Sequence, residues 1–222
     1  VSQKGDIIID FIFDGIEELT NGLYAVRVNL DQKNWECYVI DEFGKTIIEN
    51  NYKHIYNVGR YIQCFKEAFC EFHSFSSVAN RYSYKWQEDG VVYDVNGNLI
   101  RKGKAIEDLG ALLLFDVESK VIAFDVNESR LLLNVYDEFH LLTENRYIVR
   151  KSTEDGNWFF GVINKFEEII IPFDYKYIKG HNKFIQCFKD AECEKEYHKS
   201  LNNHYTYENF KDEIWYSTDG FL

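Results

Sequence analysis

A chain of 222 residues allows one or two domains and, at 45% apolar and 17% aromatic, can bury a sizeable core, which excludes a disordered chain. Its 18 Phe and 16 Tyr favour strands over helices, because large flat side chains pack well on a pleated surface. The net charge of −12 argues against a nucleic-acid partner, which needs clustered Lys and Arg, and no apolar run is long enough to span a membrane as a helix.

The chain duplicates itself. Tyr61 to Glu71 reads YIQCFKEAFCE and returns as FIQCFKDAECE at Phe184 to Glu194. Carried outward without a gap, the offset of 123 pairs Val1–Leu99 with Phe124–Leu222, and 32 of the 99 pairs are identical. Copy one is therefore 1–123 and copy two 124–222, within a single repeat domain spanning 1–222. Inside each copy, hairpin-like turns recur at Gly5, Gly44, Gly97, Glu128, Glu167 and Gly220, at unequal spacings of 39, 53, 31, 39 and 53 residues.

In chain order, strands are predicted at Ile7–Phe13 and, after Asn21-Gly22, at Leu23–Val28; Asn-Gly supplies the positive φ of a tight turn. Residues 34–55 read as a hairpin turning at Glu42–Gly44. An aromatic-rich excursion follows, with strands at Tyr61–Phe65, Ala68–Phe72 and Arg81–Trp86 and a bend at Lys66–Ala68. Residues 91–100 read as a hairpin with a two-residue Asn96-Gly97 turn, and residues 110–126 as one bending at Glu118-Ser119. From Phe124 the order repeats, and the only proline, Pro172, is placed at a strand end or sheet edge. The fold class is all-β: a tandem array of antiparallel meanders in two pseudo-equivalent halves, an open solenoid-like array with propeller-like closure as the alternative.

Gly22-Leu23, Ala25-Val26, Trp35, Val39–Asp41, Gly44-Lys45, Ile47-Ile48 and Tyr52 form a pattern that returns as Trp158, Gly161–Ile163, Ile169–Pro172 and Tyr175. This pattern resembles the WG-repeat family of bacterial proteins. It departs from the family in that Glu36 follows Trp35 and Phe159 follows Trp158, where the family has Gly. The resemblance implies β-rich repeats that serve in binding and brings no catalytic residues with it.

Candidate binding residues are Trp35 and Trp158, as recognition platforms or as packing groups, and the tyrosine rows Tyr82/Tyr84 and Tyr205/Tyr207, each on one strand face. Cys64, Cys70 and His73, with Cys187, Cys193 and His198, have a loosely metal-like spacing but no fourth ligand. A hairpin at Lys66–Ala68 sets Cys64 opposite Cys70 and Cys187 opposite Cys193, leaving buried thiols or a cross-strand disulfide as further readings. No phosphate loop, nucleophile elbow or HExxH occurs, and no two of the six histidines pair under the offset. Asp14 and Asp137 do pair, as strand-end carboxylates.

The expected function is non-catalytic, without cofactor or metal, and directed to a protein partner. Carbohydrate or small-ligand binding is one alternative; an architectural segment of a larger surface or secreted protein is the other. Five cysteines, an odd number, favour a reducing compartment. A sequence that starts at Val1 and lacks Met leaves room for a removed signal peptide.

Overall fold

The computed structural model describes residues 13–30, 34–73, 81–181, 184–196 and 204–217. At 50–51, 68–73, 81–88, 193–196 and 204–206 only the backbone is described. The chain divides into two compact units, Val1–Asp108 and Leu109–Leu222, so the division falls ahead of the point where the sequence starts to repeat.

The first unit begins with a four-stranded antiparallel meander, β1 (Gly15–Glu18), β2 (Leu23–Asn29), β3 (Trp35–Asp41) and β4 (Thr46–Tyr52), in the order 1-2-3-4. A second meander follows: β5 (His54–Val58), β6 (Tyr61–His73), β7 (Arg81–Tyr93) and β8 (Leu99–Lys102), in the order 5-6-7-8. β9 (Lys104–Asp108) ends the unit, packed against β5, β6 and β7. The second unit holds β10 (Leu112–Val117), β11 (Lys120–Asp125) and β12 (Arg130–Tyr136), then β13 (Glu138–Thr143), β14 (Arg146–Ser152), β15 (Trp158–Asn164) and β16 (Ile169–Tyr175) in the order 13-14-15-16. Last comes a sheet of β17 (Tyr177–His181), β18 (Phe184–Glu196) and β19 (His204–Ser217), in the order 17-18-19. The described residues are all-β, in five antiparallel sheets, none of them closed into a barrel. Pro172 lies on β16, an edge strand, where the missing N–H breaks no inner ladder.

Period-2 alternation sends one face of each meander inward, and the duplication makes the two cores correspond at eight positions. The first packs Ala25, Cys37, Val39, Ile48, Tyr52, Ile55, Ile62 and Cys64, together with Leu23, whose counterpart Arg146 is not part of the second core. The second packs Ile148, Phe160, Val162, Ile171, Tyr175, Ile178, Ile185 and Cys187 at the matching offsets. Only the first two positions change size, Ala25 to Ile148 and Cys37 to Phe160, and both are larger in the second unit.

Two local expectations are corrected. β6 runs unbroken from Tyr61 to His73, so no hairpin exists at Lys66–Ala68, and the excursion is one long β6–β7 ribbon. The Asn96-Gly97 turn is not a two-residue loop: Gly97 N donates to Asp94 O (3.1 Å), Asp94 N donates to Asn98 O (2.9 Å), and only Gly97 (φ 82°) is left-handed. The Asp94 side chain decides this, accepting from Asn96 N and Asn98 N and drawing in the extra residue. The two-residue turn with both φ values positive occurs instead at Glu118-Ser119, between the paired Val117 and Lys120. Asn21 and Gly22 are left-handed as expected (φ 54° and 70°). The turns proposed at Gly5 and Gly220 lie outside the described residues.

Candidate binding surfaces

Trp35 and Trp158 begin equivalent strands, half-buried against the two cores. Trp35 Nε1 donates to Lys53 O (2.7 Å), while Lys53 Nζ donates back to Trp35 O (2.6 Å) and lies over the indole (5.7 Å). Trp158 and Lys176 repeat every part of this clasp, at 3.0, 3.1 and 4.6 Å. Each indole thus ties the start of a central strand to the turn between successive sheets, with its polar edge satisfied. Lys53 and Lys176 were not singled out from the sequence, yet their identity under the offset was the available signal. The same holds for Tyr93 and Tyr216, whose hydroxyls meet those of Tyr52 (2.6 Å) and Tyr175.

The tyrosine rows lie on the distal ribbons. Tyr82 and Tyr84 pair in register with Phe72 and Cys70, and Tyr205 and Tyr207 with Lys195 and Cys193. The side chains of Tyr82, Tyr84 and Tyr205 are outside those described. Tyr207 turns inward: it stacks on Tyr177 (4.9 Å), meets Phe160 edge-on (5.4 Å) and donates its hydroxyl to Glu138, which also takes Arg150 Nη1 (3.0 Å).

The cross-strand cysteine pairing is overturned by register. Cys64 faces Val91 and Ile55, and Cys70 faces Tyr84; Cys187 faces Ile214 and Ile178, and Cys193 faces Tyr207. Each pair lies on one strand, six residues apart, roughly 20 Å at strand rise and far beyond disulfide reach. Cys37, Cys64 and Cys187 are buried and joined in no disulfide; burial pushes the Cys187 thiol up to about 12 and the Cys64 thiol higher still. Among the described residues no group of three His, Cys, Asp or Glu side chains is placed to hold a metal ion. Asp14 and Asp137 each accept a backbone N–H across a hairpin, from Asn29 and Ser152.

The turns between β3 and β4 and between β15 and β16 are built alike. Asp41 Oδ1 accepts Phe43 N and Lys45 N, both at 2.9 Å. Asn164 Oδ1 accepts Phe166 N (2.9 Å) and Glu168 N (3.0 Å). These side-chain brackets hold an outward phenylalanine at each tip, Phe43 at 74% and Phe166 at 54% exposure. The left-handed position is Gly44 (φ 82°) in one and Glu167 (φ 63°) in the other. Glu167 spends its side chain on a β12 bulge, accepting Leu133 N (2.6 Å), Asn134 N (3.0 Å), Asn134 Nδ2 (2.8 Å) and Tyr136 OH (3.2 Å). Burial pushes the Glu167 carboxyl up, but the donors outweigh it and hold it below the usual range.

Gln63, fully buried on β6, is a polar anchor that hydropathy gives no reason to select. Its Nε2 donates to Val91 O and Gly103 O (3.2 Å each), and its Oε1 accepts Ala105 N (2.7 Å), which fastens β9 over the sheet. Beside this crossing a cleft of about 540 Å³ opens between Lys66, Lys102, Lys104 and Asp89. Arg60 closes the far end of β9 with two bonds to Asp108 (2.9 and 3.0 Å). His54, between Tyr56 and Phe65, is held neutral by burial, its pKa lowered to about 4.

A family model described as the WG containing repeat matches residues 1–30 and 160–180, so WG-repeat sequence is present in both halves of the chain. No curated protein matches. A solved structure described as "Crystal structure of the eukaryotic initiation factor" aligns over 87% of this chain at 11% identity, with a TM-score of 0.41. The chain spans about half of that structure's length, 51%.

Proposed function

We propose that this chain, with WG-repeat sequence in both halves, is a non-catalytic module that binds a protein partner. The observation that carries the reading is the pair Phe43 and Phe166: equivalent turns in the two units each hold a large apolar ring out in water. Neither ring contributes to the two cores described above, and each turn is locked by its own Asp or Asn. A rigid aromatic on a pre-formed loop is an economical anchor for a protein surface, since little entropy is lost when it docks. The acidic balance disfavours nucleic acid as partner, and no described helix is long and apolar enough to cross a membrane.

The test is affinity capture from lysate and medium of the source cells, with the native chain and a Phe43→Ser/Phe166→Ser variant as baits. A protein held near stoichiometry by the native chain and lost by the variant supports the reading. Equal capture by both baits, with melting temperatures also equal, removes these rings from the binding surface. No captured protein in either fraction overturns the protein-binding reading.

A further inference from the structure

In the first unit, a cleft is built where the β6–β7 ribbon meets the turn between β8 and β9. Phe65 pairs with Gly90 and Glu67 with Glu88, so Lys66 and Asp89 stand across from each other between those pairs. Asp89 is left-handed (φ 54°), which interrupts the pleat of β7 at this point. Next to it, Gly90 O accepts Gly103 N (2.7 Å), and Lys102 and Lys104 flank that second glycine. Gly90 leaves no room for a side chain: a Cβ there would lie 2.7 Å from Gly103 O and 3.0 Å from the Phe65 ring. Gln63 holds Gly103 O and Ala105 N in turn. The cleft is therefore floored by a backbone crossing whose polar groups are matched inside the protein, and its shape exists before anything enters it.

Around this floor stand three lysines, Lys66, Lys102 and Lys104, and one carboxylate, Asp89, while Phe65 and Val91 supply an apolar wall. Three positive charges against one negative leave a local excess of two positive charges, in a chain whose net charge is −12. Like charges converging on one concavity repel each other, and a bound anion turns that repulsion into attraction. The volume, about 540 Å³, lies within the range of sites for small organic ligands.

We propose that this cleft binds the phosphate monoester of a small hydroxylated molecule, a sugar or polyol phosphate. A phosphate monoester carries a charge of about −1.5 to −2 at pH 7, which matches the local excess, and lysine serves it as a point-charge partner. Asp89 repels a bare anion. Its place on the rim selects a ligand that brings hydroxyl donors to a carboxylate as well as a phosphate to the lysines. The carbon skeleton then lies against Phe65 and Val91. This site goes beyond the protein-binding reading and does not depend on it.

The test is calorimetric titration of the full chain at low ionic strength with glucose 6-phosphate, ribose 5-phosphate and glycerol 3-phosphate, and separately with glucose and with inorganic phosphate. One-to-one binding of at least one ester is expected, tighter than that of inorganic phosphate, with no binding of glucose. Lys66→Gln and Lys102→Gln replace exposed side chains, so each should weaken the ester about tenfold at an unchanged melting temperature. Asp89→Asn keeps a residue suited to the left-handed backbone. It should weaken the ester several-fold, through loss of the charged acceptor, yet tighten inorganic phosphate, through loss of the repulsion. No saturation with any of the three esters, or equal affinity in the native, Lys66→Gln and Lys102→Gln chains, overturns the site. Inorganic phosphate bound as tightly as the esters overturns the ligand class.

Discussion

The two units place the same strands in the same register but stabilise them by different chemistry. At the inter-sheet position the first has His54 stacked on Phe65 (6.4 Å) and the second Tyr177 stacked on Phe188 (6.3 Å). Around Tyr177 gather Phe160, Tyr207 and Phe210, and Glu138 joins Arg150 below them. The first unit has Cys37 where the second has Phe160, and Gly15 where it has Glu138. The first unit instead closes its sheet with a buried amide and an added strand, Gln63 and β9. A duplicated backbone can therefore be finished with aromatic mass in one half and a polar clamp in the other, provided each buried donor and acceptor is matched.

That difference is sharpest at the paired glutamines. Gln63→Ala leaves Ala105 N and Gly103 O unmatched in a dry site and is expected to cost about 3–5 kcal/mol, whereas Gln186→Ala should cost under about 1 kcal/mol. Hydrogen exchange resolved by unit checks this: protection should fall along β9 in the first variant and barely change in the second. Equal losses would mean the two glutamines do the same work.

Next in size is Tyr207→Ala, expected to destabilise the second unit by about 3 kcal/mol, through lost burial and stacking and the loss of one of the donors to Glu138, which keeps Arg150. Thermal unfolding of the single variant measures it. A negligible shift would return Tyr207 to the set of freely replaceable surface tyrosines.

Acid should separate the units as well. The unfolded chain protonates His54 near the ordinary value of 6.5, the folded chain only at about 4. Its neutral form is thus favoured by folding, so stability is full above about 6.5 and declines as pH falls toward 4, by on the order of 3 kcal/mol at most. His54→Tyr, the residue of the second unit, should flatten that decline in denaturant midpoints measured from pH 7 to pH 4.

Glu167 acts oppositely in sign. Its lowered carboxyl stabilises above the ordinary value of 4.5 and loses that contribution as pH drops through the folded value. Glu167→Gly, the residue of the first unit, relieves a strained φ but removes four hydrogen bonds, for a net loss of about 1 kcal/mol at pH 7. The loss should vanish at low pH; a gain in stability at pH 7 would show that the strain outweighs the anchor.

What the residues declared in advance follows from physics that is local or carried by the repeat. Alternation, turn chemistry and the offset of 123 placed the all-β class, the turns at Gly44 and Glu167, and the pairing of Trp35 with Trp158. The same pairing already contained Lys53 with Lys176 and Tyr93 with Tyr216, since identity across a duplication marks side chains that share a contact. A run such as KEAFCE is legible less reliably, because exposed polar residues such as Lys66 and Glu67 look like turn residues; β6 passes straight through it.

The sequence by itself determined the repeat, the strand-rich class and the two matched cores, because these depend on periodicities of two residues and on one fixed offset. Only the tertiary structure decided that Tyr207 points inward, that Cys64 and Cys70 share a strand, and that Gln63 holds β9 from 42 residues away. Those outcomes depend on which strand lies beside which, and that is fixed by burial and hydrogen-bond matching between distant segments.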